Sequence, residues 1–76
     1  MREQLQSRFG GSWDGDAPEI HGLVKVGGRA LKVELLFVKG TERWQVAIFE
    51  EGEVLALSSG EEPVMLVAQG LAQAMR

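Results

Sequence analysis

Between Ile20 and Leu57 apolar side chains fall at alternate positions in four short runs, and glycine-containing turns separate the runs at Gly27-Gly28, Lys39-Gly40-Thr41-Glu42 and Glu51-Gly52. Alternation with period two is the signature of a half-buried strand. A two-residue loop at Gly27-Gly28 pairs Val26 with Arg29, Val24 with Leu31, Gly22 with Val33 and Ile20 with Leu35. Through the next turn Phe37 meets Trp44, Leu35 meets Val46 and Val33 meets Ile48. The third turn is expected to set Ile48 against Leu55 and Val46 against Leu57, because leucine loses more by exposure than alanine does. The competing arrangement, a three-residue loop with Gly52 in a bulge, turns Val54 and Ala56 inward. In either form the pattern specifies a four-stranded antiparallel meander with one apolar face.

Helical spacing flanks the strands. Met1, Leu5 and Phe9 recur every four residues ahead of Gly10-Gly11, predicting a short N-terminal helix whose stripe Trp13 continues. Ser12 to Pro18, rich in Asp and Gly, reads as a loop. A second helix is expected over about Glu62 to Met75, with Ser59 and Glu62 at capping-box spacing and Pro63 in the first turn. Its apolar stripe is Val64, Val67, Leu71 and Met75, flanked by Ala68 and Ala74, and its berth is the face carrying Leu31, Val33, Leu35, Trp44, Val46 and Ile48. The fold class that follows is α+β, a single domain over residues 1–76: four strands, a C-terminal helix packed on one face and a short N-terminal helix.

The chain has 76 residues, no cysteine and a net charge of -3 with a pI near 5.0. Absence of cysteine excludes disulfides, thiolate metal sites and cysteine nucleophiles. The eight basic residues are scattered, which disfavours direct nucleic-acid binding. No membrane-spanning run or secretory leader is visible, so a cytoplasmic location without membrane association is expected.

Chemistry has few carriers here. Asp14, Asp16, Glu19 and His21 form the one local group with metal-ligand character, yet Gly15 divides the aspartates and no calcium-loop spacing follows. His21, the sole histidine, is expected opposite Glu34 as a surface ion pair. Ser58 and Ser59 lack a nucleophile elbow. Glu50, Glu51 and Glu53 mark a hairpin tip, where no cleft raises a carboxylate pKa. The reading is of a protein without catalytic residues, cofactor or resident metal. Its alternatives are a ligand- or metal-binding domain at Asp14, Asp16, Glu19 and His21, or a structural subunit of a larger assembly.

The outward positions supply the functional expectation. Alternation places His21, Leu23, Lys25, Ala30, Lys32, Glu34, Leu36, Val38, Gln45, Ala47, Phe49, Val54 and Ala56 on the second face, a mixture of charged and apolar groups that the N-terminal helix is expected to cover in part. Left open, Leu23, Leu36, Val38 and Phe49, with the acidic tip Glu50, Glu51 and Glu53, would contact a protein partner or a second copy in a homodimer. A free edge strand offers a second route to the same end.

Two resemblances bear on this. The order helix, strands, alanine-containing helix over Val67 to Met75 is similar in topology to the double-stranded-RNA-binding domain, but Gly60, Glu61, Glu62 and Pro63 stand where that family places phosphate-gripping lysines, so RNA binding does not carry over. In size, acidity and lack of catalytic groups the chain resembles small phage-encoded inhibitors of the anti-CRISPR kind. That resemblance implies a non-enzymatic protein-binding module acting by occupying a partner's surface.

Overall fold

The computed structural model describes all residues, Met1–Arg76. Helix α1 (Arg2–Phe9) leads into β1 (Ser12–Asp16), β2 (Glu19–Val26), β3 (Arg29–Val38), β4 (Arg43–Glu50), β5 (Glu53–Gly60) and finally α2 (Pro63–Ala74). The strands form one antiparallel sheet in the order β1-β2-β3-β4-β5. The α+β meander is therefore as expected, with five strands in place of four.

The additional strand is the supposed loop at Ser12. Its pairing sets Trp13 against Gly22 and Asp16 against Glu19. A Cβ on Gly22 would come within 2.5 Å of the Trp13 ring, so glycine there makes room for the indole. The Trp13 Nε1–H donates to the Gly10 carbonyl at 2.8 Å, which ties the strand to the end of α1. Composition hid this strand: Trp13 is its single large apolar residue, and Asp and Gly have poor strand propensity.

The first two hairpins adopt the register read from the alternation, including Ile20 opposite Leu35, Leu35 opposite Val46 and Val33 opposite Ile48. Phe37 and Trp44 meet edge to face with ring centroids 5.2 Å apart. The turn between them is closed by Thr41, whose hydroxyl donates to the Val38 carbonyl at 2.7 Å and accepts from the Arg43 N–H at 3.2 Å.

The third hairpin departs from the expectation. Glu51 (φ 51°) and Gly52 (φ 83°) make a two-residue turn, so Phe49 faces Val54; the register then shifts by one, and Ile48 faces Ala56 while Val46 faces Ser58. Leu55 is the extra residue. It packs partly against the core, Ala56 is buried, and Val54 and Leu57 turn outward. The reason lies in α2, which rests on β4 and β5. Gly70 approaches Val46 and Ile48 so closely that a Cβ would stand 3.2 and 3.3 Å from them, and Leu66 covers Gly60. Beneath such a helix the inward positions of β5 must be small, and Ala56, Ser58 and Gly60 supply that; Leu57 would not fit.

Helix α2 begins three residues later than its capping-box spacing suggested. Ser59 belongs to β5, and Glu62 is the N-cap, its Oε2 accepting from the Met65 N–H at 2.7 Å, with Pro63 at the first helical position. Its buried side is Pro63, Leu66, Val67, Gly70, Leu71 and Ala74, rotated from the expected stripe so that Val64, Ala68 and Met75 are only half-buried.

Both helices cover the same face. Leu5 of α1 is fully buried in one core cluster with Trp13, Ile20, Val33, Ile48, Leu66 and Val67. Glu3 and Ser7 of α1 border a shallow recess with Glu62 and Val64 at the start of α2, so the helices are neighbours. No helix is long and apolar enough to cross a membrane.

Candidate functional site

Since α1 and α2 share one side, no helix shields the other face of the five strands. The chain's most exposed large apolar residues include Leu57 at 68%, Leu23 at 59%, Val54 at 50% and Leu36 at 39%, all on that face. Val38, Ala47 and Phe49 accompany them half-buried. Two cross-strand pairs, Phe49 with Val54 and Ala47 with Leu57, sit side by side on β4 and β5 and make the most continuous apolar area of the open face. Leu23 is separated from this group by Lys32, which stands between Leu23 and Phe49 in the same cross-strand row. Leu36 sits between Glu19 and Gln45 in its row.

The acidic tip divides in two. Glu51 and Glu53 are exposed. Glu50 is turned toward the helix side, where the Arg29 guanidinium donates to both carboxylate oxygens, Nη2–H to Oε1 at 2.6 Å and Nε–H to Oε2 at 3.0 Å. These hydrogen bonds hold the Glu50 carboxyl below its usual range and the Arg29 guanidinium above its own. Arg29 also reaches the Met75 sulfur at 3.5 Å, so the pair fastens β3 and β4 to the end of α2. Glu50 thus serves as a brace and stands apart from Glu51 and Glu53.

The residues proposed as ligands from sequence are distributed along β1 and β2. Asp14 lies opposite His21 and Asp16 opposite Glu19, but Asp16 pairs with Arg2 at 3.4 Å, and His21 Nδ1 approaches Glu34 Oε1 at 3.8 Å. Lys32 Nζ shares the same Glu34 oxygen at 3.6 Å. No three His, Asp or Glu side chains converge on a point that one cation could occupy. Ser12, which composition had left inside a loop, borders a shallow depression together with Asp14 and His21. No hydrogen bond connects these three, so the serine has no activating base.

Sequence reasoning missed Leu57 as an outward residue. The signal was present in the alternation of small residues Ala56, Ser58 and Gly60, which marks the strand face that a close helix overlies. No protein-family model matches the chain, and comparisons with curated proteins and with solved structures also find no match.

Proposed function

We propose that the protein is a non-enzymatic protein-binding module that acts by laying the open face of its sheet against a partner's surface, in the manner of a small inhibitor or adaptor. The observation that carries this reading is the one-sided placement of the helices, which leaves Leu23, Leu36, Phe49, Val54 and Leu57 on a face that nothing in the chain covers. An apolar area bordered by charged groups on a small domain commonly marks a contact surface. Lys32, Glu34 and Arg43 around it would set the orientation of the partner more than the strength of binding.

The test uses Leu23→Asp and Phe49→Asp, each introduced singly. Affinity capture from the source cell should recover a protein with the wild-type chain and lose it with both variants, while thermal unfolding shows each variant still folded. Capture undiminished by either substitution removes the open face as the contact surface.

A further inference from the structure

The two edges of the sheet are built differently. A free strand edge presents unpaired N–H and C=O groups, and proteins usually blunt it with shortness, charge or proline. β1 follows that rule: it has five residues, includes Asp14 and Asp16, and holds Gly15 at a φ of 87°. β5 does not. It has eight residues, and from Val54 to Gly60 it contains neither charge nor proline. None of the backbone hydrogen bonds made outside the helices and strands involves a residue of β5, so its outer edge is unpaired. The bulge at Leu55 lies next to the hairpin tip and leaves Ala56–Gly60 as a regular ledge.

The surroundings of this edge have a distinct charge pattern. Helix α2, which rests on β4 and β5, is uncharged from Pro63 to Met75, so the only charged residues from Val54 to Met75 are Glu61 and Glu62. Glu51 and Glu53 stand at the other end of the strand. A neutral ledge is thereby bracketed by carboxylates, with Glu61 82% exposed and only loosely approached by Arg43 at 3.8 Å.

We propose that the β5 edge receives an extended segment of another protein as a sixth strand, apolar in its middle and carrying Lys or Arg near both ends. Main-chain hydrogen bonds would supply affinity, and side chains on alternate faces specificity. The span from Glu53 to Glu61 is about 26 Å at roughly 3.3 Å per residue, which sets the spacing of the two basic ends. A second copy of this chain fits the edge poorly. Antiparallel self-pairing centred on Leu57 would put Glu53 of one copy opposite Glu61 of the other at both ends, in a protein already at -3. This inference rests on the reading of the protein as a protein-binding module and names one edge of it.

The probe is a blocked peptide, Lys-Lys-Val-Thr-Val-Thr-Val-Lys-Lys, compared with the same peptide carrying Glu in place of Lys. Backbone amide exchange is followed by NMR on the full chain. The basic peptide should slow exchange of alternate amides within Ala56–Gly60, leave Ser12–Asp16 unchanged and bind at least tenfold more tightly than the acidic one. Leu57→Lys, an exposed substitution that leaves the fold intact, should weaken it by a similar factor. No protection at millimolar peptide, equal binding of both peptides, protection at β1, or protection at β5 that grows with protein concentration alone would each overturn the proposal, the last in favour of a second copy. A silent β5 edge together with loss of capture by Leu23→Asp removes the sixth strand and leaves the open-face reading standing. A protected β5 edge with capture undisturbed by Leu23→Asp and Phe49→Asp supports the sixth strand and removes the open face.

Discussion

The two faces of this sheet have the same strands and the same alternation, yet one is filled by helices and the other by nothing in the chain. On the helix side Ile20, Leu31, Val33, Leu35, Val46 and Ile48 are almost wholly buried, and glycine stands at the closest approaches, Gly22 beneath the Trp13 indole and Gly70 above Val46 and Ile48. On the open side large apolar residues alternate with Lys32, Glu34 and Arg43. Packing constrains the first face residue by residue, because a close-packed interior responds to a single methylene. The second is free of that constraint, so its apolar residues call for an explanation outside the fold.

Substitutions should separate the faces by magnitude. Ile48→Ala, which empties a site beneath α2, is expected to cost about 2–5 kcal/mol in denaturant unfolding; a loss under about 1 kcal/mol would mean that α2 does not rest there. Gly22→Ala pushes a methyl group into the Trp13 ring and should cost about 1–3 kcal/mol with a change in tryptophan emission, whereas an unchanged spectrum would detach β1 from the pairing described. Glu62→Ala removes the N-cap of α2 at a cost of about 1 kcal/mol, measurable in the same unfolding curves. Leu57→Thr on the open face should stay within about 0.5 kcal/mol of wild type, and a larger loss would show that the face is not free.

A further contrast concerns pH. Glu50 is held below its unfolded pKa, so its contribution is present above the ordinary carboxylate range and lost as pH falls through the folded value. The difference in thermal midpoint between wild type and Glu50→Gln should therefore be present at neutral pH and vanish in acid. A difference that persisted at low pH would assign the effect to packing against Arg29 and not to charge.

Much of the covered face was legible in the alternation from Ile20 to Ile48, because period two and two turn signals leave few ways to pair strands that bury one face. β1 was not legible. Trp13 is meaningful only opposite Gly22, and that pairing joins residues whose local composition reads as loop. The last strand was misread for a related reason. Ranking leucine above alanine for burial compares transfer free energies and omits the helix above, whose approach through Gly70 admits Ala56 and leaves Leu57 outside. Of the candidate contact residues, Leu23, Leu36, Val38 and Phe49 were placed on the outer face by alternation alone. The engagement of Glu50 by Arg29 depends on two strands and α2 meeting at one corner.

The sequence by itself determined the elements with strong periodicity: three strands in correct register, the start of a fourth, and a helix at each end. These depend on local propensity and on an apolar face that tolerates one register. Only the tertiary structure decided that both helices lie on one side, that a fifth strand closes one edge, and that a bulge at Leu55 turns Leu57 outward. The last two are set by volume, by what fits beneath an indole at Gly22 or beneath a helix at Ala56, Ser58 and Gly60, and volume is a property of elements in contact, which no single strand carries.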